Sequence, residues 1–350
     1  MELDQLTDDE RTVPGSVEPR RSAGESPPTV WPRAVGIGLG LALLVGVLVT
    51  AFAWPPAESA PSDVPVAVAG PAEAVAELER QLDEDAPGAL DLLRVDDADA
   101  ARQLINAREV YGAIVLDPVG APRVLTASAA SPVIAQIMTG FSNRLGEPAT
   151  GATGSAVEDV VPLPEDDPRG SVFAAAALPM VIGGMIVGIV LSFVVAGVWR
   201  RIVGALAAAV AAGWVVILVT QAWLGALAAN PWANAGVVAL TIAAISLTVI
   251  GLVAVIGPAG IGIGALIMFL VGNSLSGVTS APEMLPDGWG ALGQLLPAGA
   301  GGTLLRSTSY FDGAAAGQPV LVLASWLTAG LLLAAIGRRF RPASHDALSG

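Results

Sequence analysis

Cysteine and lysine are both absent, and His345 is the only histidine among 350 residues. These absences exclude disulfides, thiol nucleophiles, Cys/His zinc sites and histidine acid–base chemistry. Without lysine there is no GxxxxGK[ST] phosphate loop, so no Walker-type ATP site is expected in this chain. Charge is scarce as well: 14% of residues are charged, against roughly a quarter in soluble domains. Aromatics are only 5%, so the hydrophobic content is mainly Ala, Val, Leu and Ile, joined by 41 Gly. That mixture suits lipid-facing and tightly packed membrane helices. The all-arginine basic set reads as coding bias.

What charge there is lies unevenly. The formal net charge is −14. Residues 55–170 carry 20 acids against 7 arginines, whereas residues 171–350 carry 4 acids against 6 arginines. A polyanionic block repels nucleic acid and anionic head groups and reads as a solvated domain, so no nucleic-acid partner is expected.

A crossing helix needs about 20 apolar residues. Charge-free runs predict spans at 34–54, 172–198, 202–223, two within 235–277 divided at Gly257-Pro258-Ala259-Gly260, and 319–336. Proline cannot continue a helix and glycine supplies the turn, which places that division. The first span reads as an uncleaved signal-anchor, because its leader is too long for a usual signal n-region. With the N-terminus inside, Arg20, Arg21, Arg33, Arg200, Arg201, Arg338, Arg339 and Arg341 flank the cytoplasmic ends, while the short external loops hold only Arg306. The positive-inside rule therefore predicts cytoplasmic termini and an external acidic block. The organisation expected is a leader at 1–33, a first span at 34–54, an extracytoplasmic domain at 55–170, a five-helix membrane domain at 171–340 and a tail at 341–350. The fold class is an α-helical polytopic membrane protein with six transmembrane helices and an inserted extracytoplasmic α/β domain.

Within 55–170, β-branched runs at 64–69, 90–95, 111–116, 123–126 and 157–161 alternate with helical patterns at 71–82, 97–108 and 131–145. That alternation predicts a small α/β domain with a largely parallel sheet. The acidic clusters Asp83-Glu84-Asp85, Asp96-Asp97-Asp99 and Glu165-Asp166-Asp167 lack calcium-loop spacing and read as solvated faces or helix caps, so no metal is expected.

Three residue sets stand out in the apolar part. The Gly184/Gly188 and Gly260/Gly264 pairs have GxxxG spacing, which lets helix backbones approach closely. Gln221, Asn273, Ser274 and Ser276 are candidate substrate-pathway residues, although helix-to-helix hydrogen bonding is the usual role of such groups. Arg306 is expected to form a structural ion pair with Glu283, Asp287 or Asp312. No ionisable group lies between 172 and 281 except Arg200 and Arg201, which disfavours self-contained ion-coupled transport. No catalytic residue set or cofactor emerges.

One span, an external α/β domain and five further spans resemble the ABC type-2 exporter permeases, in particular the phage-infection-protein-like branch. The resemblance is carried by Gly272-Asn273-Ser274-Leu275-Ser276-Gly277, Pro282-Glu283-Met284-Leu285-Pro286, Leu296-Pro297-Ala298-Gly299, Leu305-Arg306-Ser307 and Tyr310-Phe311-Asp312-Gly313. Val64-Pro65-Val66-Ala67-Val68 and Tyr111-Gly112-Ala113-Ile114-Val115-Leu116 are similar to that family's external strands. The resemblance implies short external helices over a re-entrant segment at 278–318, a homodimer or heterodimer of six-helix halves, and a separate cytoplasmic ATPase subunit. It implies outward movement of an amphiphilic substrate. The other class of function kept open is a non-transporting membrane protein whose external domain binds a partner, as a secretion scaffold or phage attachment site.

Overall fold

The computed structural model describes residues 31–117, 122–145 and 156–340. Most of the expected leader and the 341–350 tail, with Arg20, Arg21 and Arg341, lie outside the described residues.

The first element is the helix α1 (Trp31–Ala57). A mixed five-stranded sheet follows, in the order β2-β1-β3-β4-β5: β1 (Val64–Ala69), β2 (Leu90–Arg94), β3 (Gly112–Val115), β4 (Arg123–Thr126) and β5 (Ala156–Asp159). Three of its four pairings are parallel and β3–β4 is antiparallel. Alternation along β1 sorts its side chains to two faces. Val64, Val66 and Val68 pack under α2 (Ala72–Asp85) and α4 (Pro132–Leu145), while Ala67 and Ala69 pack under α3 (Ala98–Asn106). The Asp97 carboxylate accepts the Ala100 N–H at 2.8 Å and caps α3, as helix-start chemistry requires.

The rest of the chain is helical. Four further helices are, with α1, long and apolar enough to cross a membrane. They are α5 (Ser171–Val194), α6 (Val198–Ile217, continued by a π-helical turn Leu218–Trp223), α7 (Pro231–Ile256) and α12 (Gly317–Phe340). The chain is thus a helical membrane protein carrying a small mixed sheet. The stretch predicted as the fifth span is shorter: α8 (Ala259–Gly264), a π-helical segment Ala265–Val271 and α9 (Gly272–Ser274). At 1.5 Å per residue that stretch is about 24 Å long. It is bounded by the Gly257-Pro258 break and by Gly277, whose φ of +65° ends the run.

Helix α7 is the axis of the bundle. Of its apolar window 72% is buried, against 22–28% for α5, α6 and α12, so those three keep broad apolar faces outward as lipid-facing helices do. Asn230 caps α7 by accepting the Trp232 N–H at 2.9 Å, with Pro231 at the first helical position.

The connections gather at two ends. Gly197, Gly257, Pro258 and Gly337 line one cleft. At the other end, segment 275–316 folds as a 3₁₀ turn (Pro282–Met284), α10 (Trp289–Gln294) and α11 (Pro297–Tyr310). Ala281 and Met284 join the core beneath one face of the sheet, and Phe311 joins the other. The α/β region is therefore bolted to this segment.

Candidate functional site

The site is built around α11, whose residues are nearly all buried. Its glycines permit that burial: a Cβ on Gly301 would lie 2.6 Å from Thr241 Oγ1 on α7. The small-residue face brings α11 against α7, and its polar residues are then carried into the interior.

Arg306 is the one charged residue among these, buried at 6% exposure. Its guanidinium lies 4.7 Å from the centre of the Phe173 ring, and Nη2 donates to the Val278 carbonyl at 3.0 Å. Phe173 is held in the first turn of α5 by buried Asp167, whose carboxylate accepts the N–H groups of Ser171, Val172 and Phe173 at 2.8, 2.9 and 3.3 Å. Asp167 is therefore a helix cap and not part of a solvated cluster.

Arg108 arrives from the α/β region. It closes α3 in a left-handed conformation, φ +60°, a position where glycine is the usual residue. The turn sends its side chain to α11, where Nη1 donates to the Thr303 carbonyl at 2.9 Å and to Ser307 Oγ at 2.5 Å. Its guanidinium also lies 5.2 Å from the Phe311 ring. Tyr111 Oη donates to Glu283 Oε2 at 2.7 Å. Burial, followed by the neighbouring Glu283 charge, raises the Tyr111 hydroxyl well above its ordinary value, so it remains a neutral donor. Burial, and then repulsion from Arg108, pulls Arg306 down to about 10. Both guanidinium groups stay charged at neutral pH. Arg108, Tyr111, Glu283, Thr303 and Arg306 line a cleft of about 680 Å³ that also takes in Gln294, Leu295 and Gln318.

The expected ion pair of Arg306 does not form among the described residues. Glu283 is turned to Tyr111, Asp287 accepts from the Ser62 hydroxyl at 3.0 Å, and Asp312 is exposed in a left-handed turn at φ +49°. Nearness in sequence misled because α11 aims Arg306 inward at α5, while Glu283 belongs to a turn pinned under the sheet.

The four substrate-pathway candidates do not converge on one route. Gln221 lies in the π turn after α6, donating to the Ala229 carbonyl and accepting from Asn234. Asn234 in turn accepts from Thr308 and Ser309 on α11. Ser276 belongs to a second group: its hydroxyl donates to the Asn273 carbonyl, and its own carbonyl accepts from Gln294, which accepts from Thr303. The Ser274 hydroxyl is buried without a partner among the described residues. Both groups thus lean on α11 from different sides.

The glycine pairs lie at helix contacts. A Cβ on Gly184 would lie 3.0 Å from Ile245 and one on Gly188 would lie 2.8 Å from the Ser246 carbonyl, both on α7. One on Gly260 would lie 2.5 Å from Leu252, and one on Gly264 would lie 3.1 Å from Val249.

Sequence reading missed Arg108, Tyr111, Phe173, Asn234, Gln294 and Thr303. One signal was available: the chain has only two tyrosines, and both are tethered at this junction, with Tyr310 donating to the Ala226 carbonyl at 2.6 Å. Comparisons with protein-family models, curated proteins and solved structures give no match for this chain.

Proposed function

We propose that the chain is the membrane permease subunit of an ABC type-2 exporter, moving an amphiphilic substrate outward with the help of a separate ATPase. The five long apolar helices and the shorter Ala259–Ser274 stretch make six crossings in this reading. An even number of crossings returns both termini to the arginine-flanked cytoplasmic side. The α/β region then stands outside the cell as an inserted domain.

The observation that carries the reading is segment 275–316, which folds back as short helices between the last two helical stretches and shares a cleft with the α/β region. This is the arrangement that the resemblance of the sequence to those permeases implies. At the other end, the ATPase would engage the cleft of about 840 Å³ lined by Trp199, Arg200, Arg201 and Arg338. The partners in this reading are the bilayer, a second permease half and that ATPase.

One observation favours the second reading, a non-transporting membrane protein whose external region binds a partner. The link between α5 and α6 is only Val195-Ala196-Gly197, a small surface through which to transmit ATP hydrolysis. Affinity purification of the tagged full chain from its native membrane separates the two. Recovery of an ATPase, together with loss of substrate efflux on deletion of the chain, supports the permease. Recovery of no ATPase and unchanged efflux overturns it.

A further inference from the structure

The geometry points to the outer cleft as a binding site for the oxyanion head group, phosphate or carboxylate, of an acidic amphiphile, held between Arg108 and Arg306. This deepens the proposed function by naming the substrate class. It is tested by binding alone, so either idea can fail while the other stands.

Arg306 gives the first reason. Its Nη2 is satisfied by Val278, Nε and Nη1 have no acceptor among the described residues, and the residue lines the cleft at 6% exposure. A buried cation with spare donors and no counter-charge is costly unless a ligand supplies one. Guanidinium donors match the fork geometry of phosphate and carboxylate.

Charge is also sorted by depth. The acids lining the cleft are Asp63, Asp287 and Glu283. Asp63 and Asp287 are exposed at the rim, where solvent screens them. Glu283 is engaged by Tyr111, leaving two arginines and one carboxylate in the wall.

The backbone supplies a third reason. Arg108 holds a left-handed conformation that glycine would adopt freely. Such strain gathers where a side chain is needed for function.

The mouth of the cleft identifies an amphiphile over a free ion. Leu295 lines it while 53% exposed, and Leu292, one turn earlier on α10, is 49% exposed. The indole of Trp289 on α10 meets that of Trp54 edge-on at 4.8 Å, as in an interfacial aromatic belt. A head group at the arginines leaves an acyl chain free to run along this apolar edge.

The test is a titration of the purified full chain, in neutral detergent, followed by native mass spectrometry. The probes are phosphatidylglycerol, phosphatidylcholine and inorganic phosphate. The basic cleft of Arg200, Arg201 and Arg338 stays intact in every variant, so the quantity read is the difference between variants. Phosphatidylglycerol is expected to bind in preference to phosphatidylcholine. Arg306→Gln and Arg108→Gln should each weaken it about tenfold or more, the loss of one charge-assisted interaction. Glu283→Gln, which removes the one carboxylate in the wall, should tighten it. Equal binding of the two lipids overturns the proposal, as does wild-type affinity in an arginine variant that melts like the wild type. Inorganic phosphate binding as tightly as the lipid overturns the amphiphile assignment. Should neither arginine variant fold, Glu283→Gln decides alone, and unchanged affinity counts against the site.

Discussion

Arginine is treated in opposite ways on the sheet and at the junction beneath it. On the α/β region, Arg80, Arg94, Arg102 and Arg123 all pair with carboxylates, and 30–55% of each arginine side chain is exposed. At the junction Arg306 is buried and Arg108 partly so, and among the described residues neither has a carboxylate within 4.0 Å. Exposed pairs stabilise little, because water already solvates both partners. Buried cations cost desolvation, which carbonyls and ring faces offset only in part. The surface arginines therefore contribute little to stability, and the buried ones are placed at a cost that stability alone does not explain.

The junction depends first on backbone contact, and the largest loss is expected there. Gly301→Leu puts a branched side chain where even a Cβ would lie 2.6 Å from Thr241 Oγ1. Overpacking of this kind costs about 3 kcal/mol or more. Thermal unfolding in detergent should show a large drop in midpoint. Gly262→Ala, at a helical glycine with nothing within 4 Å of its Cβ, should melt at or above the wild-type temperature. Equal behaviour of the two variants would show that α11 does not need its close approach to α7.

Next comes the cap that sets Phe173 under Arg306. Asp167→Ala removes the acceptor of three N–H groups and of the Ser171 hydroxyl at a residue that is 2% exposed. Loss of a buried cap of this kind should cost about 2 kcal/mol, again read from the melting midpoint. Asp167→Asn keeps one carbonyl oxygen as acceptor and should recover part of the loss.

Arg306→Met sharpens the comparison directly. In a buried ion pair, removing one partner strands the other charge and costs about 3–5 kcal/mol. Here no carboxylate is stranded, and methionine fills much of the volume, so the change should stay within about 1 kcal/mol of wild type. A loss on the scale of a broken buried pair would reveal a carboxylate partner of Arg306.

Much of this architecture was legible in the sequence. The five strands fall within a residue or two of the predicted runs, most clearly at β1, β3 and β4, where nearly every residue is buried and the apolar pattern is continuous. The division at Gly257-Pro258 followed from what proline cannot do. The Ala265–Val271 π segment was hidden, since nothing in its composition separates it from an α-helix. The site was the least legible part. Arg108, Tyr111, Glu283 and Arg306 come from segments up to about 200 residues apart, and local spacing cannot say which way a buried helix points its one arginine. Glu283 was legible as a partner, but its donor turned out to be a tyrosine from the sheet.

The smallest effect belongs to the surface. Arg102 bridges Asp99 and Glu158, both at 2.8 Å. Its hydrogen bond is the main cause of a Glu158 pKa below the usual 4.5. A carboxyl group depressed in the folded state contributes stability above its unfolded pKa and loses it as pH falls through the folded value. Arg102→Gln should therefore leave the melting midpoint at neutral pH within scatter of wild type. Whatever difference is resolved should shrink toward zero below the ordinary glutamate range, and should shrink again in high salt. A midpoint drop comparable to that of Asp167→Ala would erase the distinction between the two classes of arginine. It would mean that the acidic face of the sheet is held together by its charges.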